Sequence, residues 1–484
     1  MNIHLILQMA AEAMGEREAL VCGSMRMNYR ELDYAARAAA QKLSGVERIA
    51  FIDETGPAFP ITLFAAAFLG VPFTPMNYRL SPEQLSAQYA RLAPATLVTE
   101  RSVTEDGITV LHPAEMMDQF TAIGDAPDID GATAVELFTS GTTGEPKSAV
   151  LRHSNLMAYI FGTVEFMSAG EDEAALLSVP PYHIAGIAAV LSSTYAGRKM
   201  IQLPNFTAEK WIDLARTENV TNAFLVPTML QRIVDHVDGG ELELPMLRNL
   251  AYGGGKMPRS TIEAAMRLLP HVNFTNAYGL TETSATICML NPDAHRAAFE
   301  SDDPAIKRRL GSAGIPLPTI ELQIRTEEGA LCEAEETGLV WVRGDQVSGE
   351  YKGMGSQLDA EGWFPTKDRG FVDAEGYLFI DGRADDVIVR GGENMSPGEI
   401  EDVLRLHAAI KDVAVVAVPD EEWGEAVGAA IVCNADVEDQ ELCDLVRANL
   451  RSSRVPSVIR RYDELPYNET GKLLRRIIRD EFAS

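Results

Sequence analysis

The stretch Thr139-Ser140-Gly141-Thr142-Thr143-Gly144-Glu145-Pro146-Lys147 decides how the rest of the sequence is interpreted. Its glycines permit backbone conformations that other residues avoid, so that backbone N–H groups can approach a ligand closely. Its four hydroxyl side chains and the Lys147 ammonium add hydrogen-bond donors and positive charge. Loops of this composition bind anions, and the stretch therefore predicts a phosphate-binding loop.

The nucleotide P-loop pattern G-x-x-x-x-G-K-[ST] fails at one position of this stretch. Pro146 stands where the pattern requires its second glycine, and proline has no N–H to offer a phosphate. Residues 149–151 also indicate a short strand where a P-loop continues directly into a helix. We therefore exclude a P-loop. An isolated match of this composition would favour a Ser/Thr/Gly-rich surface loop, so the choice depends on the rest of the chain.

The composition sets broad limits on size and partners. With 484 residues, 46% of them hydrophobic, the chain exceeds what one core usually supports, and at least two domains are expected. The formal charge of −29 argues against nucleic acid or an anionic membrane as the main partner. The five cysteines include no C-x-x-C pair, which favours neither a zinc cluster nor a disulfide framework and suits a reducing cytoplasm.

Two further features concern membranes and export. No lysine or arginine precedes Arg17, so we expect no secretory signal. The longest apolar run, residues 59–73, is shorter than the roughly 20 residues that a membrane-spanning helix needs. It predicts a buried helix.

Hydrophobic periodicity predicts alternating helices and strands in the first half of the chain. The predicted helices cover residues 28–43, 83–92 and 154–159, with Ser154 as the cap of the last one. The predicted strands cover residues 48–52, 95–99, 107–111, 134–138, 149–151, 175–179, 199–203, 222–226 and 247–251. This alternation indicates a layered α/β domain.

The character of the sequence changes after residue 315. Strands are predicted at residues 321–324 and 338–343, with turns at Gly353, Gly355, Gly362, Gly370 and Gly376. These features indicate a β-rich subdomain.

The last hundred residues predict a separate α+β domain. Residues 396–399, Ser-Pro-Gly-Glu, form a predicted capping box with proline at the first helical position. The apolar stripe of the helix that follows comprises Ile400, Val403, Leu404 and His407. Further strands are predicted at 413–418, 428–432 and 457–461, and a helix at 440–451. We place the boundary near Asp385, which gives domains of residues 1–384 and 385–484.

Four stretches, taken together, resemble the adenylate-forming superfamily of acyl-CoA synthetases, peptide-synthetase adenylation domains and luciferases. They are the loop at 139–147, NAYGLTE at 276–282, WFPTKD at 363–368 with GRADD at 382–386, and NETGK at 468–472. The resemblance covers nearly the whole chain, and four matches in order are specific. It implies a large multi-layer α/β N-terminal domain with a β-rich subdomain, and a small mobile α+β C-terminal domain.

The resemblance also implies a reaction that needs no general base. A carboxylate with a pKa near about 4.3 is ionised at neutral pH and can attack the α-phosphate of ATP directly. The protein then has to align the reactants and stabilise charge. Neither G-x-S-x-G nor H-E-x-x-H occurs in the sequence, which agrees with this chemistry.

Site residues follow from the same resemblance. Tyr278 would stack on adenine, Thr281 and Glu282 would lie near Mg²⁺ and the α-phosphate, and Asp368 with Arg383 would bind the ribose. The β- and γ-phosphates would be held by Thr139, Ser140, Gly141, Thr142, Thr143, Gly144 and Lys147. The adenine motif also includes Asn276, Ala277 and Gly279. The superfamily usually has glycine at Ser148 and Lys367, so this chain departs from it there.

The predicted acyl pocket favours an apolar acid. His183 corresponds to the aromatic gate between nucleotide, acyl pocket and thiol tunnel. Amino-acid-activating relatives have an aspartate near this position, and its absence here argues against an amino-acid substrate. The other pocket residues are Tyr182, Ile187, Phe224, Gly253, Gly254 and Gly255, which offer rings, methyl groups and bare backbone. Gly255 and Lys256 replace residues that are commonly alanine and proline. An aromatic, fatty or polycyclic acid remains open.

The resemblance implies that different C-terminal residues serve the two half-reactions. By resemblance, Asp385 is a hinge, and rotation about it would exchange Lys472 for Gly391 and Gly392 in the active site. Without the resemblance, the two glycines would be interpreted as a β-turn.

We therefore predict a cytoplasmic acid–thiol ligase that uses ATP, Mg²⁺ and CoA. It would form an acyl-adenylate with release of pyrophosphate, and then an acyl-CoA thioester with release of AMP. The alternative is a stand-alone enzyme that loads an acyl or aryl acid onto a carrier protein. A regulator without catalysis would lack Lys472 or Glu282, whereas a luciferase-like oxygenase stays formally open. No nucleic-acid partner and no membrane span are expected, and a homodimer is left open.

Overall fold

A computed structural model describes residues 1–117, 131–139, 147–420, 422–467 and 473–483. The chain divides into two compact units, of which the first comprises Met1–Glu321 and Val342–Phe364 and the second Leu322–Trp341 and Pro365–Ser484. The boundary near Asp385 stays a prediction. Within the described residues, no helix combines the length and hydropathy that a membrane-spanning helix requires.

The larger sheet of the first unit has nine strands with a parallel centre and antiparallel edges. Buried parallel strands need apolar residues on both faces, which Ala174–Leu177 supplies in a continuous run. From edge to edge the strands are Ile315–Pro316, Ala285–Leu290, Asn273–Leu280, Asn249–Gly253, Asn222–Leu225, Ala174–Leu177, Lys199–Gln202, Glu18–Cys22 and Met25–Asn28.

The second sheet of this unit has eight strands. Its parallel part ends at Thr133–Thr139, which pairs in antiparallel fashion with Lys147–Arg152. Edge to edge, the strands are Gly355–Ser356, Glu350–Tyr351, Lys147–Arg152, Thr133–Thr139, Phe73–Pro75, Ile49–Phe51, Ala95–Val98 and Ile108–Leu111. The strands that periodicity predicted in the first unit are all present, with ends shifted by at most two residues.

Two large hydrophobic cores, with a smaller cluster around Tyr89, pack the described residues of the first unit. Helices Tyr29–Lys42 and Ala58–Leu69 pack with buried residues of both sheets, and every residue of the second helix from Ala58 to Ala67 is buried. The predicted buried helix is thereby confirmed. The other core, around Trp211 and Tyr252, covers the opposite face of the nine-stranded sheet. The remaining helices of the unit are His4–Met14, Pro82–Leu92, His153–Thr163, Ile184–Ala196, Ala208–Thr217, Pro227–Val237, Arg259–Leu268, Pro292–Glu300 and Pro304–Lys307.

The predicted cap at Ser154 is wrong. The helix begins at His153, and its cap position is Arg152. The Asn155 side-chain oxygen accepts a hydrogen bond from the Arg152 N–H at 3.2 Å, so Asn155 rather than Ser154 makes the side-chain contact with the backbone at the start of this helix.

The second unit contains most of a four-stranded sheet and all of a five-stranded sheet. The first has the order Glu321–Arg325, Gly338–Arg343, Phe364–Val372 and Leu378–Arg383. The second has the order Glu393–Met395, Ile388–Arg390, Gly424–Cys433 and Ile410–Asp420, with Val458–Arg461 also paired to Gly424–Cys433. Alternate residues of Ile410–Asp420 enter separate hydrophobic clusters on the two faces. The helices are Pro397–Leu404, Asp439–Asn449 and Arg475–Ala483.

Gly370 does not form the predicted turn. It lies inside Phe364–Val372, where the pairing register shifts between Arg369 and Gly370. A Cβ added at Gly370 would stand 2.1 Å from the Phe379 carbonyl oxygen, so a close cross-strand approach explains the glycine.

The predicted capping box at residues 396–399 is also wrong, although the helix begins at Pro397 as expected. The Ser396 hydroxyl donates to the Asp381 carbonyl oxygen at 2.7 Å instead of capping the helix. His407 lies beyond the helix end at Leu404 and contacts Glu441 at 3.0 Å, so it is not part of the apolar stripe.

A buried ion pair clamps the C-terminal helix to the five-stranded sheet. The Glu401 side chain is 3% exposed and meets the Arg475 guanidinium. Glu401 also accepts a hydrogen bond from the Val415 N–H at 2.8 Å, and Arg475 donates to the Val415 carbonyl at 2.8 Å. Two helices and the strand Ile410–Asp420 therefore share one charge-compensated contact.

We predict that Glu401→Gln lowers the free energy of unfolding of the second unit by about 3 kcal/mol, because breaking a buried pair leaves a poorly compensated charge. Hydrogen exchange along Ile410–Asp420 in urea measures the loss. The matched control is Glu441→Gln, whose carboxylate is 62% exposed and contacts His407. It should cost less than about 1 kcal/mol. Equal losses in the two variants would contradict the assignment.

The same pair gives this prediction a pH dependence. Burial raises the pKa of Glu401, but Arg475 and Arg405 more than offset this effect and lower it below its ordinary value of 4.5. A carboxyl whose pKa is lowered by folding stabilises the protein above its ordinary pKa, and this stability is lost as pH falls through the lowered pKa. Between about pH 5 and pH 3, the wild type should therefore lose more stability than Glu401→Gln.

Candidate active site

The predicted phosphate loop connects two antiparallel strands. Thr139 lies directly opposite Lys147 in the register, and its hydroxyl donates to the Lys147 carbonyl oxygen at 3.4 Å. Both residues therefore stand at the mouth of the hairpin. Ser140, Gly141, Thr142, Thr143 and Gly144 lie outside the described residues, so their phosphate contacts stay predictions.

The predicted adenine motif runs along Asn273–Leu280 and is tightly packed. Asn276 donates to the Ser312 carbonyl oxygen at 2.8 Å. A Cβ added at Gly279 would stand 1.7 Å from the Ala285 carbonyl oxygen, so only glycine fits there. Ala277 pairs with Gly253, and Tyr278, with a partly exposed side chain, lies between these two constrained positions.

Glu282 is fixed through both its backbone and its side chain. It lies on the 3₁₀ turn Thr281–Thr283 and is 8% exposed. Its carbonyl oxygen accepts hydrogen bonds from the Ser348 N–H at 2.9 Å and the Gly349 N–H at 3.1 Å. The Tyr351 hydroxyl donates to its Oε1 at 2.6 Å. Such a carboxylate is held in one orientation before any ligand binds.

Tyr351 is the site residue that the sequence did not predict. Its ring lies under the Lys147 ammonium, with Nζ 5.5 Å from the ring centroid, while its hydroxyl binds Glu282. The structure therefore brings together the predicted phosphate cation and the predicted metal carboxylate. Tyr351 belongs to none of the four matched stretches, and its position beside the turn glycines gave no chemical signal.

The carboxylate fits a magnesium ion that arrives with a nucleotide. Among the described residues, no group of three or more His, Cys, Asp or Glu could hold a metal ion. Magnesium in phosphate-transfer sites is commonly bound by one or two carboxylates together with the substrate's phosphates, and it does not need a protein cage. One preorganised carboxylate, Glu282, beside the loop cation Lys147 satisfies that requirement.

The predicted acyl pocket residues converge on the end of strand Asn249–Gly253. A Cβ added at Gly254 would lie 3.6 Å from Val226 and 4.0 Å from His183 Cε1. A Cβ at Gly253 would lie 3.5 Å from the Phe224 ring. A Cβ at Gly253 would also stand 2.2 Å from the Ala277 carbonyl oxygen, so the paired strand fills the space beside this glycine. Of the two glycines, only Gly254 leaves open a space, which an imidazole and a methyl group border.

The other predicted pocket residues occupy different environments. The Tyr182 ring meets Tyr78 edge to face at 5.5 Å. Ile187 is fully buried in the core, on the helix that His183 precedes, whereas Gly255 is exposed.

The predicted ribose residues form a pair in the second unit. Asp368 lies opposite Arg383 on neighbouring strands, and the Arg383 Nε is 3.3 Å from Asp368 Oδ1. Arg383 also donates to the Thr366 carbonyl oxygen at 2.8 Å. Lys367 has a φ of 65°, in the left-handed region that favours glycine, so this chain keeps the unusual backbone with a lysine.

The predicted second active-site face is a two-residue hairpin turn. Gly391 and Gly392, with φ of 58° and 82°, connect Ile388–Arg390 to Glu393–Met395. Positive φ at both positions is the requirement of the tight turns that join twisted strands. The β-turn interpretation is therefore confirmed. Asp385 is exposed on a 3₁₀ turn, and Lys472 lies outside the described residues.

Comparison with known protein families identifies the class of protein to which this chain belongs. The family described as AMP-binding enzyme matches residues 7–352, and the AMP-binding enzyme C-terminal domain matches residues 399–472. The chain belongs to this family, the adenylate-forming superfamily that includes acyl-CoA and aryl-CoA ligases. The resemblance carried by the four stretches is thereby confirmed.

Individual relatives are similar over almost the full length. A 2-succinylbenzoate–CoA ligase from Bacillus licheniformis is 30% identical over 97% of this chain and 98% of its own. The fatty acid–[acyl-carrier-protein] ligase ScoC from Streptomyces coeruleorubidus is 29% identical over 96% of this chain and 93% of its own.

A solved structure agrees with the fold. The o-succinylbenzoate CoA synthetase from Bacillus subtilis, in complex with its acyl-adenylate intermediate, has a TM-score of 0.86 and 27% identity, with 98% of each chain covered. The same synthetase has also been solved with ATP and a magnesium ion. The predicted fold class, a large α/β N-terminal domain and a small α+β C-terminal domain, is confirmed.

We predict that Gly279→Ala destabilises the first unit by at least about 1–3 kcal/mol, because the added methyl group must displace a paired strand. Thermal unfolding measures the effect. Gly311→Ala is the matched control, since a Cβ there meets no atom within 4 Å. A melting temperature of Gly279→Ala equal to that of the control would contradict the packing described above.

Proposed function

We propose that this chain is an AMP-forming acid–thiol ligase that activates an apolar carboxylic acid with ATP and transfers it to CoA. The observation that carries the proposal is the grouping of Lys147, Tyr351 and Glu282 at the base of the predicted phosphate loop. It occurs in a chain whose two parts match the AMP-binding enzymes and their C-terminal domain.

In the first step, the substrate carboxylate attacks the α-phosphate of ATP and pyrophosphate leaves. The acid is already ionised at neutral pH, so the residues supply alignment and charge rather than proton transfer. Lys147 and the loop donors bind the β- and γ-phosphates. Glu282 would hold the magnesium ion, which would neutralise phosphate charge when bound. Tyr278 stacks on adenine.

The Asp368–Arg383 pair would act on the ribose. A carboxylate accepts hydrogen bonds from both ribose hydroxyls only if it is held in one orientation. Arg383 provides this orientation through its contact with Asp368 and its hydrogen bond to the backbone.

In the second step, the CoA thiolate attacks the acyl carbonyl of the adenylate, a thioester forms, and AMP leaves. The Gly391 and Gly392 turn would form the face along which the thiol arrives. Among the described residues, no atom lies within 4 Å of a Cβ added at Gly392, so a large side chain meets no steric clash there, although the φ of 82° strains any residue other than glycine.

The proposed substrate class is an apolar acid, and an aromatic ring suits it. The space beside Gly254 is bordered by His183 and Val226, and the Phe224 ring lies next to the neighbouring Gly253, so this segment offers stacking and methyl contacts. The relative from Bacillus licheniformis is named for an aromatic acid, 2-succinylbenzoate.

A panel of carboxylic acids tests the substrate class. Pyrophosphate release should be fastest with aryl or medium-chain apolar acids and at background with free amino acids, because the pocket segment lacks a carboxylate for the ammonium group. A clear preference for amino acids would refute the assignment.

The second candidate function is loading of a carrier protein, which the similarity to ScoC supports. Mass spectrometry of the product distinguishes the two acceptors. The ligase is supported by a thioester with free CoA, and the alternative by turnover only with a phosphopantetheinylated carrier.

The cytoplasm is the proposed location, and the five cysteines are all free thiols, as a reducing compartment requires. The homodimer stays a prediction.

Lys472 and Gly392 should affect different half-reactions. Lys472→Ala removes one preorganised cation and should slow adenylate formation by roughly 10²–10³. Transfer of a supplied acyl-adenylate to CoA should remain near the wild-type rate. Gly392→Trp should slow the transfer and spare adenylate formation, because it obstructs the thiol.

The two half-reactions are measured by pyrophosphate exchange and by thioester formation from synthetic adenylate. Arg476→Ala, a cation close in sequence to Lys472, is the control. Equal damage to both steps in Lys472→Ala would contradict the division of roles.

A further inference from the structure

Tyr351 lies on the short strand Glu350–Tyr351, and the residues on either side of it form ion pairs with the phosphate-loop hairpin. Glu350, the residue before it, forms a two-pronged pair with Arg152, with both nitrogen–oxygen distances 2.9 Å. Lys352, the residue after it, contacts the buried Glu136 at 3.0 Å. The ring is therefore held in a fixed position relative to both strands of the hairpin.

A nucleotide site needs its cation for phosphate and its carboxylate for Mg²⁺, and two opposite charges near each other can instead pair. Without a ligand, a lysine and a glutamate this close tend to pair with each other. No ion pair joins Lys147 and Glu282 within the part of the chain that the structure describes. The phenol instead gives each charge a separate partner: its ring face contacts the ammonium, and its hydroxyl contacts the carboxylate.

We infer that Tyr351 is a positioning residue that keeps Lys147 and Glu282 apart and oriented, so that the cation binds phosphate and the carboxylate binds Mg²⁺. The inference rests on the proposed function and assigns a role to a residue outside all four motifs. The hydroxyl acts on the metal through Glu282, and the ring acts on the phosphates through Lys147. The two parts of one side chain therefore have separable effects.

Two substitutions separate these effects. Tyr351→Phe keeps the ring and loses the hydrogen bond to Glu282, whereas Tyr351→Leu loses both contacts. The matched control is Tyr462→Phe, which removes a phenol–glutamate hydrogen bond of the same 2.6 Å length, to Glu481 in the second unit. All proteins are purified at full length and their melting temperatures are compared with the wild type.

The measurements are the dissociation constant of ATP with and without Mg²⁺, by calorimetry, and the Mg²⁺ dependence of pyrophosphate exchange. Tyr351→Phe should weaken binding of MgATP roughly tenfold and raise the Mg²⁺ concentration for half-maximal rate, since a hydrogen bond to a charged group is lost. Binding of ATP in EDTA should not change. Tyr351→Leu should also weaken ATP binding in EDTA, because Lys147 loses its support.

Each outcome has a defined meaning. A wild type that binds no MgATP would refute the proposed function itself. A wild type that binds MgATP, with Tyr351→Phe equal to it or weakened equally with and without Mg²⁺, would overturn the role of Tyr351 alone. Tyr462→Phe should match the wild type in every binding measurement.

Discussion

Hydrogen bonds between residues 346–351 and the turn after strand Asn273–Leu280 hold the candidate site together. Gln346 donates to the Thr283 and Thr286 carbonyl oxygens at 3.1 and 2.7 Å, and Ser284 donates back to the Gln346 carbonyl at 2.8 Å. These groups are buried, and a buried polar group that loses its partner is costly. The segment thus joins the nine-stranded sheet to the eight-stranded one at the point where Glu282 and Lys147 approach each other.

Where local patterns predicted helices and strands correctly, they did so because burial repeats with the period of each element. The two capping predictions failed because a different donor or acceptor took part in the expected hydrogen bond. Ser154 lies inside the first turn, and the side chain that binds backbone at the helix start is that of Asn155, which accepts from the Arg152 N–H. Ser396 donates instead to Asp381, which is distant in sequence. A sequence pattern shows that a serine can cap a helix, but not which acceptor lies closer in the folded chain.

The site itself was predictable only where its chemistry is continuous in sequence. Glu282 could be located from its motif, and the structure places it beside Lys147. Tyr351 could not, because it is 69 residues from the carboxylate that it contacts. Its role depends on the pairing of its strand with the loop hairpin. Pairing between strands so far apart in sequence produces no periodic pattern. The left-handed backbone at Lys367 was likewise not predictable, because the fold sets this conformation and a lysine gives no sign of it in the sequence.

The packing at Gly279 has a consequence for how sequences of this kind evolve. Because a neighbouring carbonyl oxygen fills the space of a side chain, selection for folding alone preserves the glycine. A descendant that lost catalysis but kept its fold would therefore retain Gly279, while Glu282 and Tyr351 would be free to drift. In surveys of divergent genes, the acidic residue and its tyrosine partner would then report on activity, and the glycine would report only on structure.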